Sequence, residues 1–288
     1  VPPFAYNKLL ANLGSMRNSG VELALGFTAV ERKDIGLYIN ANVAYQSNKL
    51  HSLSGTLQGY RLEVPSHVDI ASLNGAGFHG GDNHIVYQVV GQPLGVFYLP
   101  HCTGLIDDGT GNGFVYDIED INGDGVKDPA TDRRVCGQAV PKVLLGSNIS
   151  LRYRNCDISL QINGAFGHKI YNGTALTYMN MNSLPGYNVL ADAPAHNIKD
   201  QTATDYWLER GDYVNFDYLT VGWNIPLRFK HVDSLRVSAT VSNLATIPSY
   251  SGLPPIINSS SVGPTLGVDD KNTYPVARTY SLALNILF

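Results

Sequence analysis

The chain has 288 residues, a formal net charge of −4 and 15% charged residues, where about 25% charged residues is typical of globular domains. The negative charge argues against a nucleic-acid partner, which would need a basic surface. No stretch reaches the ~18 to 20 consecutive apolar residues of a spanning helix, and the first residues lack the pattern of a signal peptide. If the protein lies in a membrane, we expect it to cross as a β-barrel, in a chain that starts partway through a longer precursor.

Neutral polar and aromatic residues replace the missing charges. Hydrophobic residues make up 44% of the chain, which also contains 17 Tyr and 29 Gly. This composition suits a sheet with one face in lipid and the other in a wet lumen. It suits a secreted β-sandwich equally well, so composition alone leaves both open.

Apolar and polar residues alternate with a period of two in seven long segments, which predicts β-strands. A strand that crosses a membrane at a tilt needs about 9 to 11 residues, whereas globular strands have about 5 or 6. The segments have the longer length, with an apolar face and a face of small neutral residues. They are residues 21–30, 35–46, 143–153, 157–166, 218–225, 235–242 and 279–288.

The connections between these segments are of two kinds. Short charged turns lie at 31–34, 154–156 and 226–233. Long segments rich in Gly, Pro, Asn and Asp lie at 47–84, 102–142, 167–212 and 246–275. Short periplasmic turns and long extracellular loops are typical of outer-membrane barrels.

Two further strands are expected between the second and third segments. If all short turns lie in the periplasm, an even number of strands must separate residues 46 and 142. Residues 85–90 and 94–105, hinged at Gly91-Gln92-Pro93, are the candidates. The sequence thus predicts an all-β chain of about nine antiparallel strands. Because bacterial barrels have an even number of strands, we expect earlier strands outside this chain.

A loop with the spacing D-x-N-x-D-G-x-x-D resembles the first nine positions of an EF-hand calcium loop. Gly125 would allow the sharp bend, but the twelfth position is Thr131 instead of Glu, and Asp132 follows it. The alternative is a turn whose side chains bond to their own backbone. The sequence therefore predicts a calcium site, the one candidate cofactor, with ligands from Asp120, Asn122, Asp124, Asp128 and the carbonyl of Val126.

No other residues suggest chemistry. The eight His lack a His-x-x-x-His pair and no Ser lies in a Gly-x-Ser-x-Gly motif, so we expect no catalytic residue and no enzymatic activity. Cys102 and Cys136 flank one irregular segment and either pair in an oxidising compartment or stay free. Cys156 lies at a tight turn.

Aromatic residues near strand ends fit an interfacial girdle: Tyr153, Trp223, Phe229 and Phe288. Others lie in long loops, where they either stack on a sugar or peptide or pack the loops together: Tyr171, Tyr178, Tyr187, Tyr206 and Tyr250.

Several motifs, in this order, resemble those of SusC/RagA-type TonB-dependent transporters. They are Asn12 to Leu23 (N-x-G-x-M-x-N-x-G-V-E-L), Val90 to Tyr98 (G-x-P-x-G-x-F-Y), the calcium-like loop followed by Gly137 and Pro141-Lys142, Gly167 to Asn172 (G-x-x-I-Y-N), Ser242-Asn243-Leu244, Tyr250-Ser251-Gly252, and Pro275 to the terminal Phe288. The resemblance spans nearly the whole chain. It departs at Leu99-Pro100-His101-Cys102, where the family continues with Gly and an aromatic residue.

The resemblance implies that residues 1–288 are the C-terminal portion of a 22-stranded barrel, with the N-terminal plug and earlier strands outside this chain. It implies the outer membrane of a Gram-negative, Bacteroidota-like bacterium. It also implies nutrient import, of an oligosaccharide or a peptide, driven by TonB–ExbB–ExbD through the absent N-terminal region. A SusD-like surface lipoprotein would be the partner.

Two other hypotheses stay open. One is a SusC-like barrel recruited as a structural or assembly subunit of a larger outer-membrane complex. The other is a secreted, calcium-stabilised adhesin or glycan-binding β-sandwich. The sequence assigns no substrate-binding residue under any of the three.

Overall fold

The computed structural model describes residues 13–73, 84–226, 232–253, 255–256, 266–271 and 274–287. The described part is mostly β-structure, with two short α-helices, α1 (Gly173–Tyr178) and α2 (Ala193–His196), and two 3-10 turns, Met181–Ser183 and Asp205–Trp207. No helix within those ranges is both long enough and apolar enough to span a bilayer. The strands are β1 (Ser15–Glu31), β2 (Ile35–Ser52), β3 (Gly55–Leu57), β4 (Tyr60–Leu62), β5 (His67–Ser72), β6 (His84–Val89), β7 (Val96–Pro100), β8 (Cys102–Asp107), β9 (Phe114–Ile118), β10 (Arg133–Gln138), β11 (Val143–Tyr153), β12 (Cys156–Phe166), β13 (Lys169–Asn172), β14 (Leu208–Arg210), β15 (Tyr213–Ile225), β16 (Ser234–Pro248), β17 (Val268–Asp269) and β18 (Thr279–Leu287).

Seven of the described strands form one antiparallel sheet, which we call the wall sheet. Its order is β1-β2-β11-β12-β15-β16-β18, so each strand pairs with its sequence neighbour within the sheet. These strands have 9 to 18 residues, the length that the alternation predicts. The turns at 32–34 and 154–155 lie at one end of the sheet, and the strand ends Ile225 and Ser234, which flank the third predicted turn, lie at the same end. The predicted long antiparallel strands and short turns are confirmed.

The expectation of two more wall strands is wrong. Residues 84–89 and 96–100 are strands, β6 and β7, but they belong to a separate four-stranded sheet, β10-β7-β6-β5. Strand β2 pairs directly with β11, from Tyr45 opposite Val143 to Ile35 opposite Tyr153. Neighbouring residues in β6, and again in β7, are buried, so these strands pack inside a core. The wall sheet therefore has seven described strands, not nine.

Three long segments connect wall strands at the other end of the sheet: 53–142, 167–212 and 249–278. In their described parts these segments form small sheets and helices rather than open loops. One hydrophobic core joins all three, because Phe97, Tyr171 and Val268, one from each, are fully buried in the same cluster. We call this folded region the cap. The main buried core of the described chain thus lies in the cap and not on either face of the wall sheet.

A tight turn at residues 90–95 attaches the cap to β2. The backbone N–H of Gly91 donates to the Leu50 carbonyl at 2.7 Å, and the Leu50 N–H donates to the Gln92 carbonyl at 2.9 Å. The N–H of Leu94 donates to Asn48 Oδ1 at 2.6 Å. Gly91 has φ +85°, a conformation that favours glycine. The hinge expected at Gly91-Gln92-Pro93 is therefore real, and it docks the cap on the wall.

Candidate functional site: the polar wall face and the cap

One face of the wall sheet is apolar and open to its surroundings. On β1 the side chains of Val21, Leu25 and Phe27 are 71%, 56% and 54% exposed. On β18, Leu282 and Leu284 are 80% and 61% exposed. A protein in water rarely leaves such a continuous apolar area uncovered. Alternating apolar and polar residues with the apolar set exposed are what a lipid-facing barrel wall requires.

The opposite face carries a continuous row of hydroxyl groups. Because strand pairing places residues side by side across the sheet, the register defines this row strand by strand. It contains one hydroxyl-bearing residue from each of the seven wall strands: Thr28, Tyr38, Ser150, Ser159, Thr220, Thr240 and Ser281. Two neighbours, Thr220 and Thr240, bond to each other with an Oγ1–Oγ1 distance of 2.8 Å. We call this set the hydroxyl row.

A second row, next to the hydroxyl row, is built from amides. Asn148 lies opposite Asn40 on β2 and Gln161 on β12. Its Nδ2 donates to Gln161 Oε1 at 3.2 Å and to the Tyr218 hydroxyl at 3.4 Å. Neutral groups that donate and accept hydrogen bonds thus line this face, and they can bind a polar solute without a fixed charge.

A carboxylate interrupts these neutral rows at a bulge. Asp217 is the residue at which the register of β15 shifts against β12 and β16. Its carboxylate accepts hydrogen bonds from the amides of Asn163 and Asn215. Bulges commonly redirect a side chain, and here the bulge accompanies a carboxylate held between two amides.

An ion pair crosses the polar face near the short turns. The guanidinium of Arg236 on β16 bonds to both oxygens of Asp157 on β12, at 2.5 and 2.8 Å. Strand β15 lies between them, and its residue at the crossing is Gly222. A Cβ on Gly222 would lie 2.2 Å from Arg236 Nη2. The absence of a side chain at Gly222 therefore allows the guanidinium to reach across β15.

Asp205 connects parts of the cap around residues 99–102, where the sequence departs from the motif that it otherwise resembles. Its Oδ2 lies 2.7 Å from Nδ1 of His101, and its Oδ1 accepts the backbone N–H of Cys102 at 2.8 Å. Cys136 Sγ lies 3.6 Å from the same carboxylate. One carboxylate thus fixes the junction of β7 and β8 and approaches β10.

Cys102, Cys136 and Cys156 are all free thiols, so the disulfide considered from the sequence is not formed. Burial, together with the nearby carboxylate of Asp205, raises the pKa of Cys136 to about 12. Burial also raises the pKa of Cys102. Thiols, unlike thiolates, are poor nucleophiles, which makes these two side chains packing groups of the cap.

The predicted calcium ligands lie in one exposed loop between β9 and β10. Gly125 has φ +84°, as the predicted bend requires. Asp120 accepts the N–H groups of Gly123 and Gly125 at 2.7 and 2.9 Å, while Asn122 and Asp124 accept those of Asp124 and Val126, both at 2.8 Å. Each oxygen keeps a second lone pair, so these bonds are compatible with a bound cation.

The calcium site nevertheless stays a prediction. In the described ranges, no three His, Cys, Asp or Glu side chains converge as a metal site would require. Asp128 Oδ1 accepts the N–H of Ala130 within its own turn. The backbone-bonded turn that the sequence offered as the alternative explains these contacts as well.

Asp132 closes this loop, a role that the sequence did not reveal. Its side chain is inaccessible to solvent. The carboxylate accepts the N–H of Asp128 at 2.8 Å and those of Ile121 and Asn122 at 2.9 and 3.1 Å. These backbone bonds lower the pKa of Asp132 below its ordinary value, because they stabilise the carboxylate form.

The aromatic residues near strand ends and those in the long segments differ in their exposure to solvent. Tyr153 and Trp223 are 52% and 50% exposed near strand ends, as expected for an interfacial girdle. Tyr171 and Tyr250 are buried in the cap, so for them the packing interpretation is confirmed. Tyr187 and Tyr206 stay partly exposed, whereas Phe229 and Phe288 lie outside the described residues.

Comparison with known proteins agrees with this geometry. No protein-family model matches the chain. The chain is 25% identical to TonB-dependent receptor P3 of Formosa agariphila, over 97% of its own length and 29% of that receptor. It is 24% identical to TonB-dependent receptor SusC of Bacteroides thetaiotaomicron, over 98% and 27%. The chain thus spans less than a third of the length of these relatives.

Solved structures give the same fold. The RagAB peptide transporter superposes with a TM-score of 0.67 and 19% identity, over 95% of this chain and 29% of that chain. The RagAB peptide importer in its open-open state superposes with a TM-score of 0.62 and 18% identity, over 94% and 28%. The wall sheet is therefore a partial barrel. In sequence and fold the chain is thus similar to a part of the β-barrel of SusC- and RagA-type TonB-dependent receptors.

Proposed function

We propose that the chain forms part of the wall and the outer cap of a TonB-dependent outer-membrane importer. Its cargo is a nutrient, an oligosaccharide or a peptide, which passes along the polar face. In this proposal residues 1–288 are the C-terminal portion of the barrel and the long segments are extracellular. A plug and the contact with TonB lie outside this chain, and a SusD-like surface lipoprotein is the partner at the cap.

The hydroxyl row is the observation that carries this proposal. It crosses all seven wall strands without a charged residue, and the neighbouring amide row repeats the same chemistry. Sugars and peptide backbones both present alternating donors and acceptors, which hydroxyl and amide side chains can pair. Weak neutral contacts would hold such a cargo without trapping it.

Adjacent residues of β12 allow a matched test. Ser159 belongs to the hydroxyl row, while Ile158 points to the apolar face, where it is 39% exposed. Ser159→Trp in the full-length protein would place a large ring in the lumen, and Ile158→Trp would place the same ring in lipid. Uptake of labelled oligosaccharides and peptides would be measured in a deletion strain that carries each variant.

We expect deletion of the gene to abolish the uptake of labelled oligosaccharides, of labelled peptides, or of both. The Ile158→Trp protein should restore this uptake fully. The Ser159→Trp protein, present at the same level, should restore little of it. Wild-type uptake in the deletion strain would refute import. If deletion instead caused a larger outer-membrane complex to dissociate while uptake continued, the hypothesis of a recruited structural subunit would replace the import hypothesis. The single-layer wall sheet gives the β-sandwich hypothesis no support.

A further inference from the structure

A basic cavity of about 420 Å³ lies where the cap meets the outer ends of β11 and β12. Its charged and titratable lining residues are Lys142, His168, Lys169, Arg210 and Asp212. Arg210 pairs with Asp212, with 2.7 Å between Nη2 and Oδ2, and Asp212 Oδ1 also accepts the N–H of Gly167. Lys142 and Lys169 make no ion pair with any described residue. Two positive charges of the cavity are thus left without a counter-charge.

Two glycines hold the stems of these lysines. A Cβ on Gly167 would lie 3.1 Å from Lys142 Cβ, and a Cβ on Gly137 would lie 3.0 Å from Lys169 Cγ. Both glycines have positive φ, +78° and +149°, which favours glycine. The alkyl chains therefore pack on bare backbone, which positions two ammonium groups at one cavity.

The third group is a buried histidine. His168 is only 7% exposed, and within the described ranges its Nδ1 is buried without a hydrogen-bond partner. The Nε2–Cδ2 edge of the ring faces Gly211, so Nδ1, at the opposite vertex, points away from it. Burial lowers the pKa of His168. Since Nδ1 is buried, an anion in the cavity does not reach it, and the ring forms part of the cavity's back wall.

We propose that this cavity binds one oxyanion: a carboxylate, sulfate or phosphate group. The ammonium groups of Lys142 and Lys169 neutralise the group and donate hydrogen bonds to its oxygens. The ion pair with Asp212 keeps Arg210 out of this contact. The group belongs either to a dissolved anion or anionic solute, or to a lipid phosphate; the chemistry of recognition is the same.

Inorganic sulfate is a suitable probe, because it stays fully charged over the working pH range. Sulfate binding to the full-length protein in detergent would be measured by calorimetry at low ionic strength. Replacing both lysines in K142Q/K169Q should weaken binding by roughly 10- to 100-fold, since hydrogen bonds to charged groups are lost. The charge-preserving variant K142R/K169R should keep most of the affinity, and it controls for folding.

A matched control removes two positive charges elsewhere. Arg32 and Lys33 lie in the short turn at the opposite end of the wall sheet, so R32Q/K33Q should bind sulfate as the wild type does. Native mass spectrometry shows whether the bound oxyanion belongs to a lipid. A phospholipid or lipopolysaccharide that copurifies with the wild type and with R32Q/K33Q, but not with K142Q/K169Q, identifies a lipid phosphate. Sulfate binding without such a lipid identifies a dissolved anion. Equal affinity in wild type and K142Q/K169Q, or no binding of sulfate or lipid at all, would overturn the proposal.

Discussion

Arg236 and Asp157 form a bidentate ion pair although a whole strand, β15, separates their own strands. The pair therefore ties three strands of the wall sheet together on the polar face. Both side chains are 31% exposed, so water screens the attraction in part. We expect the coupling between them to be at the upper end of the range for accessible pairs, about 1 kcal/mol.

A double-mutant cycle measures this coupling directly. Asp157→Asn, Arg236→Gln and their combination would be compared by urea unfolding of the full-length protein from lipid vesicles. Gly222→Val should destabilise the protein about as much as Arg236→Gln, because its Cβ would lie 2.2 Å from the guanidinium and would displace it from Asp157. Additive effects of the two single changes would show that the pair contributes nothing.

Asn48 attaches the cap to the wall and offers a second test. Its Oδ1 accepts the N–H of Leu94 at 2.6 Å in a partly buried position. Asn48→Ala would leave that N–H without a partner, at a cost of roughly 1 to 3 kcal/mol. Faster hydrogen exchange across residues 84–100 is the expected result. Asn48→Asp keeps an acceptor and should protect these residues almost as well; equal exchange in Asn48→Ala would contradict the anchoring role.

The lowered pKa of Asp132 predicts how its loop responds to acid. Since the unfolded pKa of Asp is about 3.9, the carboxylate stabilises the loop fully above about pH 4 and loses this effect as the pH falls through the lowered folded value. Hydrogen exchange of residues 119–133, corrected for the intrinsic rate at each pH, should rise only below pH 4.

Asp132→Asn should loosen the loop already at neutral pH, because its amide NH₂ would face a backbone N–H where a carboxylate oxygen now accepts. Asp124→Asn is the matched control in EDTA, since Asp124 Oδ1 accepts a single N–H, that of Val126, from the described residues. Similar exchange in the two variants would remove the special role of Asp132.

Calcium binding by the loop is tested with a second aspartate turn as its control. Asp108 makes the same kind of side-chain bonds, to Thr110, without the D-x-N-x-D-G spacing. Calcium at 100 times its Kd should stabilise the wild type by about 2.7 kcal/mol, and Asp108→Ala should respond equally. The variant D120A/D124A should lose the response. A wild type whose melting temperature ignores calcium would exclude the site.

Alternation predicted the wall strands well, because a sheet between lipid and a lumen imposes one polarity on each face. Residues 143–153 were predicted and observed with the same bounds. Alternation cannot tell, however, whether a short apolar run crosses a membrane or enters a core. Residues 84–89 and 96–100 are strands of the second kind, which is why the number of wall strands was overestimated.

Contacts between residues that are far apart in the chain could not be predicted from the sequence. Alternation predicts which face of each strand is polar, but the hydroxyl row exists only once the register between strands is known, and bulges such as that at Asp217 shift the register. Asp205 contacts His101 and Cys102 more than 100 positions away. Neither contact leaves a local pattern. The burial of His168 leaves no signal in the sequence either, because it depends on the folded cap.

The central claim is that the wall sheet separates lipid from a polar lumen, and spin labels on β1 test it residue by residue. With the three native Cys replaced, single Cys at positions 21 to 28 of the full-length protein in lipid vesicles would carry a nitroxide. Labels at Val21, Leu23, Leu25 and Phe27 should collide with membrane-dissolved oxygen, and labels at Glu22, Ala24, Gly26 and Thr28 with a water-soluble nickel chelate. Accessibility that alternates with a period of two and opposite phase for the two reagents is the predicted result. The same accessibility on both faces would contradict the barrel-wall account.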